Sequence, residues 1–156
     1  MTLTVVIADL SPVHFAEIME IEKVSNGAPW SQKSFENELH APQSRFRVGL
    51  VAGAVVAYAG IWCVVDEAHI TTIAVRPDMR GQGVGRRMML DLMQQARSAG
   101  MSCMTLEVRA GNRAAIALYE SLGFASTAVR KGYYPDNKED ALVMWLYELS
   151  PNESPR

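Results

Sequence analysis

Apolar and polar residues alternate with the period of a β-strand in three consecutive segments of the first half of the chain. From Phe46 to Leu50 every second residue is apolar, and this spacing is typical of a strand with one buried face. Short turns separate this segment from two more of strand character, Val55–Val64 and Ala68–Val75. Because connections this short join antiparallel neighbours, the three segments predict an antiparallel meander.

The second half of the chain contains the clearest helical spacing. Val84, Met88, Leu92 and Ala96 recur at every fourth position, and Gly100 is placed to end this helix. Three shorter helices are predicted from polar residues of the type that caps a helix N-terminus. The first begins at Ser11-Pro12, the second spans Gln32–Leu39 after the cap Ser31, and the third spans Asn112–Leu122.

Four other segments predict the remaining strands, namely Thr2–Ala8, Met104–Val108, Phe124–Val129 and Ala141–Tyr147. We find neither an internal repeat nor a linker. The pattern therefore predicts one mixed α/β domain over residues 1–149, with a mostly antiparallel central sheet flanked by helices. Residues 150–156, S-P-N-E-S-P-R, are expected to form a flexible C-terminal tail.

Composition narrows the functional classes. Of the 156 residues 49% are hydrophobic and 21% are charged, which is typical of an ordinary globular domain. The formal net charge of −2 argues against direct binding to nucleic acid or a membrane surface.

Cys63 and Cys103 lie in apolar runs without metal or disulfide spacing, so we expect buried, reduced thiols and no metal site. Since we see neither a signal-peptide pattern nor a membrane-spanning apolar run, we expect a cytoplasmic protein.

Positive charge is concentrated in one stretch, R-P-D-M-R-G-Q-G-V-G-R-R at 76–87. The lysine and hydroxyl residue of a P-loop are absent, and the third glycine comes one position too early for a dinucleotide-binding fingerprint. What remains is a loop between a strand and a helix that begins near Val84. Because unpaired amides at a helix N-terminus attract anions, the stretch predicts a site for a pyrophosphate group. The alternative is a flexible turn with solvated arginines.

The segment R-G-Q-G-V-G at 80–85 resembles the acetyl-coenzyme A signature of the Gcn5-related N-acetyltransferases, the GNAT family. The resemblance covers about residues 5–147 and extends to the RimI-type ribosomal-protein-alanine acetyltransferases within that family. The segments that carry it are A-P-W-S at 28–31, D-E-A at 66–68, T-I-A-V-R-P-D at 72–78, L-E-V-R-A-G-N at 106–112, A-A-I-A-L-Y-E-S-L-G-F at 114–124 and Y-Y-P at 133–135.

This resemblance implies the GNAT acyl-CoA N-acyltransferase fold, with acetyl-CoA as the co-substrate. It also implies that the acceptor is the N-terminal peptide of a ribosomal protein, namely the N-terminal alanine of the eighteenth small-subunit protein. We expect direct attack without an acyl-enzyme, because neither cysteine has a base-partner motif, and we expect a monomer. The resemblance implies a set of cofactor contacts, the first three through their backbone: Ile73, Ala74, Val75, Arg80, Gly81, Gln82, Gly83, Val84, Gly85, Arg86, Asn112 and Tyr119.

Glu107 is the candidate proton acceptor. Leu106 and Val108 point to one face of the predicted strand, so Glu107 points to the opposite face together with Arg109. From the residues alone, a structural ion pair with Arg109 or Arg113 is the alternative. The resemblance implies that Glu107 accepts the proton of the attacking amine.

Two residues of the predicted helix Asn112–Leu122 have a structural and a functional interpretation. Tyr119 is either a core residue or a phenol that protonates the departing thiolate, and the resemblance implies the second role, that of proton donor. Asn112 is either the helix N-cap or a contact to the coenzyme A arm.

Three aromatic residues, Trp30, Tyr133 and Tyr134, are candidates for the walls of a peptide-binding groove, with ordinary core packing as the alternative. Two other functions stay open at this point. One is a lysine or small-amine acetyltransferase with the same fold, and the other is a non-catalytic acyl-CoA sensor or partner subunit.

Overall fold

The predicted meander forms the centre of a seven-stranded sheet in the computed structural model, which describes residues 3–27 and 29–149. The strand order across the sheet is β1-β2-β3-β4-β5-β7-β6, and every pair of neighbours is antiparallel except β4 and β5. The strands are β1 (Val6–Asp9), β2 (Ser44–Val51), β3 (Ala54–Val64), β4 (Glu67–Val75), β5 (Cys103–Arg109), β6 (Ala125–Arg130) and β7 (Ala141–Leu146). The predicted mixed, mostly antiparallel α/β fold is therefore confirmed.

Helices cover both faces of this sheet. Along β3, Tyr58 belongs to a core cluster with residues of α1 and α2, whereas its neighbours Ala57 and Ala59 belong to a second cluster with residues of α3 and α4. Successive side chains of a strand point to opposite faces, so the two helix pairs lie on opposite sides. The helices are α1 (Phe15–Ser25), α2 (Gln32–His40), α3 (Val84–Ser98) and α4 (Arg113–Ser121), with 3-10 turns at Pro12–His14 and Pro77–Met79.

The sheet opens between β4 and β5. Their pairing covers only Glu67–His69 of β4 and Cys103–Thr105 of β5, although both strands continue beyond it. The register between β3 and β4 also shifts after Gly60, which leaves Thr71 without a partner residue in β3. The later part of β4 therefore has an edge that no strand of the described residues covers, and this gap positions the site.

Two of the predicted helix ends are confirmed. The Ser31 hydroxyl accepts a hydrogen bond from the amide of Ser34 at 3.2 Å and so caps α2. Gly100, which follows α3, has a φ of +82°, a conformation that favours glycine. Within the described residues, β1 begins at Val6, which pairs with Leu50 near the end of β2.

The two cysteines and the C-terminal tail differ in how their predictions stand. Cys63 and Cys103 are free thiols but only half-buried, so the prediction of buried cysteines is wrong. Both lie beside the exposed turn between β3 and β4, where Cys63 pairs with Ala68 and Cys103 pairs with Glu67. The predicted tail at 150–156 lies outside the described residues, as does Thr2. Within the described part of the chain, no helix combines the length and apolar character needed to cross a membrane.

Candidate active site

The gap between β4 and β5 opens into a cavity of about 660 Å³ at the N-termini of α3 and α4. All the predicted cofactor contacts except Gln82 line this cavity: Ile73, Ala74, Val75, Arg80, Gly81, Gly83, Val84, Gly85, Arg86, Asn112 and Tyr119. The side chain of Gln82 instead donates a hydrogen bond to the backbone carbonyl of Asp78 at 3.4 Å. The sequence pattern and the fold thus converge on one concave site.

The glycine turn presents unpaired amides to the cavity. Gly81 and Gly83 have φ values of +76° and +83°, which other residues adopt at a cost. No side chain caps α3 at Gly83, and the amides of residues 81–86 have no acceptor among the described residues. A Cβ on Gly81 or Gly83 would meet no atom within 4 Å. The backbone conformation, and not crowding, is therefore what favours glycine in this turn.

Two arginines are fixed at the rim of the cavity. Arg80 donates from Nε to the carbonyl of Val75 at 3.0 Å, and Arg86 donates from Nη2 to the Ser121 hydroxyl at 2.6 Å. Arg76 is instead paired with Asp78 at 2.6 Å, and the hydrogen bond from Arg76 lowers the pKa of the Asp78 carboxyl. Arg87 donates to the carbonyl of Val5 at 3.2 Å, so Arg80 and Arg86 are the arginines of this stretch that line the cavity.

The helix α4 brings Asn112 and Tyr119 to the cavity. The Asn112 side chain accepts a hydrogen bond from the amide of Ala115 at 3.2 Å, so it caps α4 and lines the cavity at once. Tyr119 is 6% exposed and packs in the core near Phe124. Burial raises the pKa of the Tyr119 phenol to about 12, and Tyr134 contributes to the rise. The phenol therefore keeps its proton at neutral pH.

Glu107 lies outside this cavity, on the other face of the sheet. It points away from Leu106 and Val108, which pack in the same core cluster as Tyr119. Its carboxylate is 30% exposed and forms an ion pair with Arg130 of β6 at 3.5 Å. The ion-pair partner of Glu107 is therefore neither Arg109 nor Arg113, the two predicted alternatives.

The loop that follows β6 is anchored to β5 through Arg109. This guanidinium forms ion pairs with Asp136 at 3.0 Å and Glu139 at 3.3 Å, and it lies 4.0 Å from the ring centre of Tyr134. Burial raises the pKa of the Tyr134 phenol to about 12, with Glu107 among the lesser causes. Tyr134 is thus close enough to both residues to interact electrostatically with Glu107 and with Tyr119.

The three predicted groove residues do not share one environment. Tyr133 is 47% exposed and packs edge-on against Tyr134 with ring centres 5.0 Å apart. Trp30 is half-buried against Phe35 at 5.0 Å in the cluster beneath α1 and α2. Its backbone amide donates to the buried Glu22 carboxylate at 2.8 Å. Ordinary packing therefore accounts for part of the role of Trp30.

The loop between α1 and α2 touches the loop between β6 and β7. A Cβ on Gly27 would overlap the Asp136 carboxylate and lie 3.5 Å from the Arg109 guanidinium. Because this contact joins residues far apart in sequence, no local pattern indicates it. The sequence also did not single out Ser25, Met79, Ala114, Ala115 and Leu118 as cavity residues, although Ala115, Leu118 and Tyr119 share one face of α4 by their helical spacing.

Within the described residues, the side chains of His, Cys, Asp and Glu form no group of three suited to a metal ion.

Residues 15–124 match the acetyltransferase (GNAT) family. The ribosomal protein bS18-alanine N-acetyltransferase of Escherichia coli strain K12 is 39% identical over 142 residues, which are 90% of this chain and 95% of that protein. The crystal structure of the ribosomal-protein-S18-alanine N-acetyltransferase from Escherichia coli has a TM-score of 0.85 at 35% identity, covering 98% of this chain and 99% of that one. Ard1 from Thermoplasma volcanium has a TM-score of 0.83 at 30% identity, covering 90% and 95%.

Proposed function

Because the chain belongs to the acetyltransferase (GNAT) family and is an N-acetyltransferase, we propose that it transfers acetyl from acetyl-CoA to the N-terminal alanine of ribosomal protein bS18. The main support is the 39% identity, over 90% of this chain, to the ribosomal protein bS18-alanine N-acetyltransferase of Escherichia coli. The glycine turn with unpaired amides, at the mouth of a cavity that also contains Tyr119, fits this activity.

The residues of the cavity fit acetyl-CoA, which supplies the thioester that is transferred. The amides of residues 81–86 and the positive end of the α3 dipole would bind the diphosphate, and Arg80 and Arg86 add positive charge. Ile73, Ala74 and Val75 lie on the part of β4 that β5 leaves uncovered, so backbone groups on this edge would bind the amides of the coenzyme A arm. The Val75 carbonyl is already occupied, because it accepts a hydrogen bond from Arg80. The Asn112 side chain lies at the same cavity.

The reaction needs two proton transfers, and we propose one residue for each: Glu107 on one face of the sheet and Tyr119 on the other. Glu107 would accept the proton of the attacking α-amine, directly or through water, and Tyr119 would give its proton to the departing thiolate. An α-amino group has a pKa of about 7.7–8.0, whereas that of a lysine amine is about 10.4. A neutral α-amine is thus available near pH 7, and an acceptor of modest strength is enough.

The peptide would enter on the Glu107 face. We propose that Tyr133 and Tyr134 form one wall of its groove and that Trp30, held by Glu22, supports the other. The protein would act in the cytoplasm as a monomer and would bind neither nucleic acid nor membrane.

One experiment distinguishes this function from its rivals. The protein is incubated with acetyl-CoA and a peptide that begins Ala-Arg and contains an internal lysine, and the acetyl group is located by mass spectrometry. We expect label on the α-amine. Label on lysine alone would make the protein a lysine acetyltransferase, and binding of acetyl-CoA without any acetylated amine would favour a sensor.

A further inference from the structure

Four aromatic side chains lie in one row on the face of the sheet that carries Glu107. Trp62 of β3 pairs in register with His69 of β4, His69 pairs with Thr105 of β5, and Thr105 pairs with Trp145 of β7. Tyr147 follows β7 and stacks on Trp145. We name Trp62, His69, Trp145 and Tyr147 the aromatic row. Partners in register point to the same face, so the row crosses four elements of the sheet.

The aromatic row is accessible and firmly held. Trp62 is 39% exposed and Tyr147 is 63% exposed. The rings of Trp145 and Tyr147 are parallel within 3° at 5.6 Å, and the His69 ring meets Trp145 edge-on at 6.4 Å. The indole of Trp62 donates a hydrogen bond to Glu38 of α2 at 2.9 Å. Core packing does not require rings this exposed, and exposed apolar clusters rimmed by polar residues mark binding sites.

The position of the row relates it to the acceptor substrate. Glu107 and Thr105 lie on the same face of β5, two residues apart, and Trp145 is the partner of Thr105. Two residues of a strand span about 7 Å. An extended peptide that starts at Glu107 and runs antiparallel to β5 therefore places its third residue near Trp145 and its fifth near Tyr147.

Charge on this face favours a cationic peptide. Glu67, 42% exposed, lies beside His69 at 3.1 Å. Glu107, which pairs with Arg130, lies two residues from Thr105 on β5. The same face already holds guanidinium groups over aromatic rings, since Arg109 covers Tyr134 at 4.0 Å and Arg130 lies 5.8 Å from the ring centre of Tyr133. Planar rings beside carboxylates are the surroundings in which arginine side chains stack.

We propose that Trp145 and Tyr147 of the aromatic row bind the third to fifth residues of the acceptor peptide and select arginine or another cationic side chain at these positions. This inference deepens the proposed function and depends on it. The row would act on peptide affinity and not on the chemical step, because none of its members lies in the cavity that contains Tyr119.

The test compares peptides of two lengths in steady-state kinetics. One peptide has two residues, Ala-Arg; the other has eight and carries arginine at positions three to five, with a version in which glutamine replaces these arginines. For Tyr147→Ala we expect KM for the eight-residue cationic peptide to rise about three- to tenfold. KM for the dipeptide and for the glutamine peptide, and kcat for all three, should stay unchanged.

Two matched variants control for loss of structure. Tyr147→Phe keeps the ring and should keep the wild-type KM. Val129→Ala removes a side chain that is 50% exposed on the neighbouring strand β6, outside the row, and should have no effect. An equal rise in KM for both peptide lengths, or none for the long one, would overturn the inference.

Sedimentation of the wild type and Tyr147→Ala completes the experiment. Self-association that the substitution abolishes would assign the row to a second copy of the chain and overturn the peptide role. If the wild type acetylates no α-amine even in the dipeptide, the proposed function itself fails, and the role of the row fails with it.

Discussion

Glu107 and Tyr119 lie on opposite faces of the sheet at the point where β4 and β5 separate. The last paired residues of these strands are His69 and Thr105, two residues before Glu107. Tyr119 packs with Leu106 of β5 on the helix α4 side, and Glu107 points to the other side. A donor that binds in the cavity and an acceptor that approaches from the Glu107 face therefore meet in the gap of the sheet.

Replacing Glu107 with Gln is expected to abolish most of the acetyl transfer and to leave acetyl-CoA binding unchanged. A positioned proton acceptor contributes about 10²–10⁴-fold to a rate, and Glu107 does not line the cavity. The loss should be most severe at low pH, where the α-amine is mostly protonated. Turnover and the Kd for acetyl-CoA are the measurements, with Glu120→Gln on the exposed side of α4 as control. Full activity of Glu107→Gln would remove this residue from the mechanism.

Replacing Tyr119 with Phe is expected to lower kcat while KM for the peptide stays the same. The substitution keeps the ring and removes the hydroxyl group that would give its proton to the thiolate. Because the pKa of Tyr119 is about 12, ionisation of this phenol cannot limit the wild-type rate below pH 10. A wild-type alkaline limb near pH 8 that disappears in Tyr119→Phe would contradict this assignment.

The same raised pKa predicts a loss of stability in alkali. Unfolding returns the Tyr119 pKa from about 12 to its ordinary value of about 10, so the unfolded state ionises first. The stability from the neutral phenol is fully present below pH 10 and is lost as the pH rises through 12. At pH 11 the loss from this group is about 1.4 kcal/mol. Urea unfolding at pH 8 and pH 11 should show a smaller pH effect in Tyr119→Phe than in the exposed control Tyr147→Phe.

Replacing Gly83 with Ala is expected to weaken acetyl-CoA binding through the backbone. Gly83 and Gly100 have nearly the same φ, +83° and +82°, and a Cβ on either would meet no atom within 4 Å. Both substitutions should therefore lower the free energy of unfolding by a similar amount, about 1 kcal/mol. Only Gly83 lies at the cavity, so only Gly83→Ala should raise the Kd for acetyl-CoA. Equal Kd values in both variants would show that the turn does not bind the diphosphate.

Local patterns in the sequence predict the fold and the cavity well. Alternation marks β2, helical spacing marks the buried face of α3, and the glycines at 81 and 83 lie in the predicted loop, where both have a positive φ. The family resemblance of this stretch is confirmed by the match over residues 15–124. Each of these signals depends only on residues close together in the chain.

Contacts between distant segments are what the sequence did not predict. Glu107 pairs with Arg130 because β7 brings β6 close to β5, an order that no local spacing encodes. The half-buried state of Cys63 and Cys103 depends in the same way on where the sheet ends. Ion-pair partners and exposure follow from the packing of whole elements, whereas turns and helix caps follow from a few neighbouring residues.

The contact of Gly27 with Asp136 provides a test of the loops beside the peptide groove. A Cβ on Gly27 would overlap the Asp136 carboxylate, so Gly27→Ala should displace Asp136 from Arg109 and loosen the β6–β7 loop that carries Tyr133 and Tyr134. Overpacking of this kind costs about 1–3 kcal/mol. We expect a higher KM for the peptide and an unchanged KM for acetyl-CoA.

Asp136→Ala removes the overlap, so adding Gly27→Ala to it should cost much less than Gly27→Ala costs in the wild type. Additive effects in this double-mutant cycle would mean that the two loops do not act on the peptide through this contact.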